Sequence, residues 1–208
     1  TAAAPDEAAG MRVALRPDAR YQSVPSGLKV ALLVAHALAL AVTLALAART
    51  WSGPGRPFPR PRPHPADAVV VLASATWVVL GPLNIDDSWY TLMARGAEAS
   101  GYIGNAIYQF NVTENPFALS QYVLQAWGSL GGWGLPWLRL VPLAYGLATY
   151  AVLRWLLAVA LDRVARRPLV PWALAGAHLL WFLGYGITLR PEPLIVLGTA
   201  VTWLLVEL

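Results

Sequence analysis

The chain has 208 residues, 57% of them hydrophobic and only 12% charged, about half the charged share of an average soluble domain. With ten tryptophans and a mean hydropathy of +0.52, this argues against an ordinary water-soluble globule and for a membrane protein. Cysteine is absent, which excludes a disulfide framework and a thiolate metal site. The net charge of +4 rests on 14 arginines and one lysine, most of them in loops beside apolar runs, as membrane topology requires and nucleic-acid binding does not.

Thr1 to Pro25 is polar and lacks the charged and apolar regions of a signal peptide. The chain starts without Met and stops inside an apolar run at Val206-Glu207-Leu208, so it reads as a piece of a longer protein. Residues 1–29 are then the extracytoplasmic tail of a preceding exported domain, and residues 30–208 a truncated membrane domain. Val30 to Ala48 contains no charge and as a helix spans about 28 Å, close to the hydrocarbon thickness of a bilayer. Arg49 to Pro65 carries four arginines among six prolines. Its proline density forbids a helix, and its charge places it on the cytoplasmic side. Ala66 to Leu83 crosses back outward, with Asp67 at its inner end, where a carboxylate suits the helix dipole.

That helix delivers Asn84, Asp86 and Asp87 to the outer surface. Paired carboxylates beside a membrane are costly and call for a partner, a cation or a task; helix capping and a solvated loop are the plainer alternatives. Ser88 to Gly101 reads as an amphipathic helix, with Trp89, Leu92, Met93 and Ala97 on one face and Arg95 and Glu98 on the other, suited to lie in the membrane interface. Tyr102 to Pro116 is a loop whose single charge is Glu114. Phe117 to Leu130 is too short and polar to span and fits a second interfacial helix. Gly128 and Gly132 match a helix-dimer spacing, but the glycine-rich break Gly131-Gly132-Trp133-Gly134 explains them more simply. Leu135 to Leu161 is a long crossing helix with Trp137 and Arg139 near its outer end. Asp162 to Pro168 is a second basic loop, Leu169 to Tyr185 crosses outward, and Leu194 to Leu208 begins the return. About five crossing segments result. Both basic loops fall on one side, and Asp86, Asp87, Glu114, Arg139, Arg190 and Glu192 collect on the other. His36 and His178 lie in apolar runs and read as packed side chains, and no metal-ligand spacing occurs.

The acidic pair in the first outer loop, two interfacial helices and then Trp137-Leu138-Arg139-Leu140-Val141-Pro142 resemble the layout of GT-C glycosyltransferases. The chain is most similar to the mycobacterial and corynebacterial arabinosyltransferases targeted by ethambutol. The residues that carry this are Asp86-Asp87-Ser88-Trp89-Tyr90, Met93-Ala94-Arg95, Gly101-Tyr102 with Asn105, Glu114-Asn115-Pro116-Phe117, and Leu189-Arg190-Pro191-Glu192-Pro193-Leu194-Ile195 through Gly198. Tyr21, Pro25-Ser26 and Lys29-Val30 add a weaker match near the start. The ordered motifs run from about Arg12 to Glu207. Departures fall at Ala106-Ile107-Tyr108-Gln109-Phe110 and Ala118-Leu119-Ser120-Gln121, where the family is richer in aromatics; these flank the expected acceptor site.

The resemblance implies an all-α polytopic membrane bundle of GT-C type, with residues 84–134 as the outer catalytic loop and interfacial helices. It implies transfer of arabinofuranose from decaprenylphosphoryl-arabinose to cell-wall arabinan, at the outer face of the plasma membrane and without a cofactor in this part of the chain. Inverting transfer needs a base for the acceptor hydroxyl and support for the leaving phosphate. Asp86 matches the family's catalytic carboxylate, and Asp87 is the second member of the expected catalytic pair, its charge tuning that of its neighbour. Glu114 is expected to bind an acceptor hydroxyl or a cationic inhibitor. Met93 is expected to shape the inhibitor pocket. Arg190 suits the donor phosphate and Glu192 its orientation, although an interfacial snorkelling pair is an equal alternative. Arg139 shares that ambiguity. Trp89 and Tyr102 could stack on sugar or serve as interfacial aromatics, and Asn105 completes the substrate-binding set. Membrane lipid and a homo- or heterodimer with a paralogous arabinosyltransferase are the partners in view; nucleic acid is not. The alternatives are another polyprenyl-phosphate-sugar GT-C enzyme, or a transporter or non-catalytic scaffold. A transporter would place its charges near the bilayer midplane.

Overall fold

The computed structural model describes residues 26–50, 61–100, 103, 119–161 and 163–208. Among these residues the secondary structure is helical throughout. In chain order the helices are α1 (Gly27–Thr50), α2 (Pro65–Leu80), α3 (Ile85–Ser100), α4 (Leu119–Gly131), the one-turn α5 (Leu135–Leu138), α6 (Leu140–Leu161), α7 (Leu169–Trp181) and α8 (Glu192–Glu207), with a π-helical turn at Phe182–Gly186. α6 packs along α8, α2 along α7 and α3 along α4, and α6 also touches α2 and α7.

Among the described residues, two helical stretches are long and apolar enough to cross a membrane, Leu135–Leu161 and Leu169–Gly186. A third exists if α2 and α3 count as one broken span, but they meet at an 81° bend. Among the described residues two or three crossings qualify by length and composition; hydropathy along the whole chain leads to an expectation of about five. α1 is a 24-residue helix with an apolar stretch at Val30–Leu46, and α8 has 16 residues. The described side chains of α1 are all exposed, so its leucines and valines face outward and not into the bundle.

Local chemistry explains the helix ends. Pro65 opens α2, His64 Nδ1 accepts from the Ala66 N–H, and Asp67 accepts from the His64 N–H, forming a capping box. Asp67 also takes the Tyr150 hydroxyl at 2.8 Å and Arg154 Nε at 3.0 Å. The sequence suggests that Asp67 merely suits a helix dipole; in the fold it also ties α2 to α6. At the far end of the bundle α3 begins at Ile85, three residues before the expected Ser88. Asn84 makes this start: its side-chain oxygen accepts from the Asp86 N–H at 2.9 Å and its carbonyl from the Asp87 N–H. Both aspartates thus sit in the first helical turn, where the dipole favours them.

The buried face of α3 is Tyr90, Met93, Ala94 and Ala97, packed on Leu124, Leu138, Val141 and Leu189. This face is rotated from the expected one: Leu92 is exposed and Trp89 half-buried. The long helix expected from Leu135 is interrupted at Arg139. Gly128 and Gly132 serve local packing. A Cβ on Gly128 would strike the Trp133 ring, and Gly132 has φ +98°, a backbone region that favours glycine. Beside them Trp127 and Trp137 stack at 4.5 Å, and each donates its indole N–H to the other's carbonyl.

Candidate active site

The C-terminus of α2, the first turn of α3, residue 139 and the segment 187–192 converge at one end of the bundle. α2 ends where Pro82 follows Gly81, and its last carbonyls lack helical donors. Arg139 supplies them: Nη1 donates to the Gly81 carbonyl at 2.9 Å and to the Val78 carbonyl at 3.4 Å, and Nη2 to the Pro82 carbonyl. Nη2 also meets Asp87 at 3.1 Å, with the two side chains only 2% and 3% exposed. The other Asp87 oxygen accepts the Leu189 N–H at 2.9 Å. A buried carboxylate is tolerated when paired and hydrogen-bonded in this way. Asp87 and Arg139 thus join α2, α3 and the 187–191 segment, and their hydrogen bonds turn into the protein.

Asp86, one residue earlier, points elsewhere. It pairs with Arg190 Nη1 at 2.8 Å, with side chains 37% and 27% exposed. Arg190 Nη2 pairs with Glu192, and the guanidinium lies 5.5 Å from the centre of the Tyr185 ring, within cation–π range. The hydrogen bond that Arg190 donates to Glu192 raises its pKa above the ordinary value; burial opposes this, and the charges of Glu192 and Asp86 reinforce it. The open side of this end therefore presents one guanidinium between two carboxylates.

The π turn brings Arg190 here. α7 is expected to run regularly to Tyr185, but it leaves the α-helical pattern at Phe182. Trp77 on α2 donates its indole N–H to the Leu183 carbonyl at 2.7 Å, and the Ile187 N–H reaches back to the Phe182 carbonyl. Phe182 is fully buried and fills the space left by Gly146, where a Cβ would lie 2.3 Å from its ring. π turns often mark functional segments.

Of the expected site residues, the fold brings Asp86, Asp87, Arg139, Arg190 and Glu192 together. Trp89 packs half-buried against the α3–α4 core, and Met93 lies within that core at 5% exposure. Glu114, Tyr102 and Asn105 lie outside the described residues. Asn84, Trp77, Tyr185 and the Leu189 N–H are additional contributors. Of these only Asn84 left a sequence signal, an Asn just before a helix with acidic first-turn residues.

Residues 24–208 match the family described as mycobacterial cell wall arabinan synthesis protein. Among curated relatives, probable arabinosyltransferase A of Mycobacterium tuberculosis is 33% identical over 149 residues, covering 67% of this chain and 13% of that protein. Probable arabinosyltransferase B of Mycobacterium avium is 31% identical over 206 residues, covering 96% and 19%. Probable arabinosyltransferase C of Mycolicibacterium smegmatis is 33% identical over 132 residues, covering 63% and 12%. The chain thus spans less than a fifth of the length of these relatives. No solved structure matches it. With nearly the whole chain inside the family match, from the first helix through the segment that carries Arg190, this protein belongs to the mycobacterial cell wall arabinan synthesis family.

Proposed function

We propose that this chain is the part of an arabinosyltransferase that holds its catalytic carboxylate, and that the whole enzyme transfers arabinofuranose from decaprenylphosphoryl-arabinose to cell-wall arabinan. Asp86 is the base. It takes the proton of the acceptor hydroxyl as the acceptor oxygen bonds to the anomeric carbon, and the bond from that carbon to the phosphate oxygen breaks. The lipid phosphate leaves with the electron pair and with its charge held by Arg190. Glu192 orients Arg190, while Asp87 and Arg139 fix the first turn of α3. Trp89 flanks this turn, and Met93 shapes the pocket from below without reacting. Glu114, Tyr102 and Asn105 are proposed to contact the acceptor from the following loop.

The observation that carries this reading is the contrast between neighbours: Asp87 is sealed at 3% exposure while Asp86 is open at 37% and touches Arg190. An accessible carboxylate beside an accessible guanidinium suits a base next to a leaving phosphate. The proposed active site faces outward. Exposed Arg163, Arg166 and Arg167 lie past the far end of α6, and a positive loop favours the cytoplasmic side.

The test is Asp86→Asn in the full-length protein, assayed with a polyprenylphosphoryl-arabinose donor. Loss of transfer by about 10²-fold or more, as for removal of a general base, with unfolding unchanged, is expected. Turnover within a few fold of wild type would refute the assignment.

A further inference from the structure

The two adjacent aspartates each face an arginine, but the two pairs are built differently. Arg139–Asp87 is sealed, and its guanidinium also holds the end of α2. Arg190–Asp86 is open, and it joins separate elements, the first turn of α3 and the segment before α8. Arg190 uses different nitrogens for its two carboxylates, Nη1 for Asp86 and Nη2 for Glu192. One contact can therefore break while the other stays.

Glu192 is the partner built to stay. It lies two residues from Arg190, and Pro191 and Pro193 restrict the backbone around it. Its second oxygen, Oε2, is buried, as is Arg190 Nε, so the Arg190–Glu192 pair is seated against protein. The Tyr185 ring adds a further hold from the π turn. Asp86 is the partner built to leave. Its bond to Arg190 is as exposed as the Glu192 pair, but it bridges two elements 104 residues apart in the chain, and such a part-exposed pair contributes little to stability. A phosphate offers several anionic oxygens to a guanidinium edge and is a stronger competitor than one part-solvated carboxylate.

We infer that Arg190 exchanges Asp86 for the donor's phosphate while Glu192 keeps the guanidinium in place, so that donor binding itself frees Asp86 to act as base. This rests on the proposed reading of Arg190 as the phosphate ligand. Before donor binds, the Asp86 oxygen at 2.8 Å from Arg190 is committed to the arginine, and an acceptor hydroxyl has to compete for it. Once phosphate occupies Nη1, that oxygen is released beside the anomeric carbon. The two carboxylates on this arginine then have opposite effects on the donor: Asp86 competes with the phosphate, and Glu192 presents the guanidinium to it.

The experiment measures binding of farnesyl monophosphate, a short isoprenyl phosphate with no sugar to transfer, to the detergent-solubilised full-length protein. Arg190→Gln is expected to weaken binding about ten-fold or more, as loss of a charge-assisted pair does. Asp86→Asn is expected to tighten it about two- to five-fold, the worth of a part-exposed ion pair. Glu192→Gln is expected to weaken it. Thermal unfolding of each variant is measured beside its binding, so that every affinity is read on folded protein. Unchanged or weaker binding by Asp86→Asn overturns the exchange. Tighter binding by Glu192→Gln overturns it too, because Glu192 would then be a second competitor. Unchanged binding by Arg190→Gln instead removes the phosphate assignment beneath it.

Discussion

Replacing Arg139 by Ala offers the sharpest contrast with replacing Arg190. The Arg139 side chain is 2% exposed and its partner Asp87 3%, so truncation leaves a buried carboxylate with only the Leu189 N–H. Removing one member of a buried pair costs about 3–5 kcal/mol. The Gly81, Val78 and Pro82 carbonyls lose their donor in the same step, which pushes the cost toward the upper end of that range. Arg190 is 27% exposed and its partners Asp86 and Glu192 are 37% and 35% exposed, and pairs of that kind are worth about 0–1 kcal/mol each. Equilibrium unfolding of the two full-length variants in mixed micelles should therefore separate them by at least about 2 kcal/mol. Arg139→Ala would be the unstable one, although both remove one arginine from the same end of the bundle. Adding Asp87→Leu to Arg139→Ala should recover much of the loss, because the uncompensated charge is then gone. Equal costs for the two arginines would refute the division into a sealed and an open pair.

Other expectations follow from the same packing. Gly146→Ala places a methyl 2.3 Å from the buried Phe182 ring and should cost about 1–3 kcal/mol as overpacking, whereas Gly176→Ala meets nothing within 4 Å and should change thermal unfolding by less than about 1 kcal/mol. Trp77→Phe leaves the Leu183 carbonyl without its indole donor and should cost about 1–3 kcal/mol, with a drop in donor affinity as the π turn and Arg190 shift. Met93 is 5% exposed in the α3–α4 core, so Met93→Ala should cost about 2–5 kcal/mol and Met93→Leu less than about 1.5 kcal/mol in the same unfolding assay. The Arg190 pKa is raised, so its contribution is complete below the unfolded value and lost only as pH rises through the folded one, above any assay range. Arg190→Lys should bring an alkaline loss of phosphate affinity into view near about pH 10.

How far the sequence carries can be judged residue by residue. Hydropathy was enough to find Leu135–Leu161 and, to within a residue, Leu169–Gly186, the two stretches that qualify as unbroken spans among the described residues. The Arg-Pro-Glu-Pro segment and the aspartate pair, together with the family resemblance, pointed to Asp86, Arg190 and Glu192, which the fold places side by side. Asp87 was different, because its burial depends on Arg139, 52 residues away, and on a backbone N–H 102 residues away. Two neighbouring aspartates look alike until the fold seals one of them. Arg139 read equally as a substrate ligand or an interfacial cation, because the open carbonyls at the end of α2, which it caps, are a tertiary fact. The buried face of α3 was misjudged by one residue, since Trp89 and Tyr90 are both plausible core members and packing against α4 decides between them. The π turn leaves no hydropathy signal; it depends on Trp77 from α2 and on the space beside Gly146.

The central claim is that Asp86 reacts and Asp87 supports. It is tested most directly by arabinosyl transfer measured per folded molecule of full-length Asp86→Asn and Asp87→Asn. Asp86→Asn is expected to fold as wild type and not to transfer, and Asp87→Asn to lose folded protein while the molecules that do fold keep more activity than Asp86→Asn. Normal transfer by Asp86→Asn, or a well-folded and inactive Asp87→Asn, would contradict it.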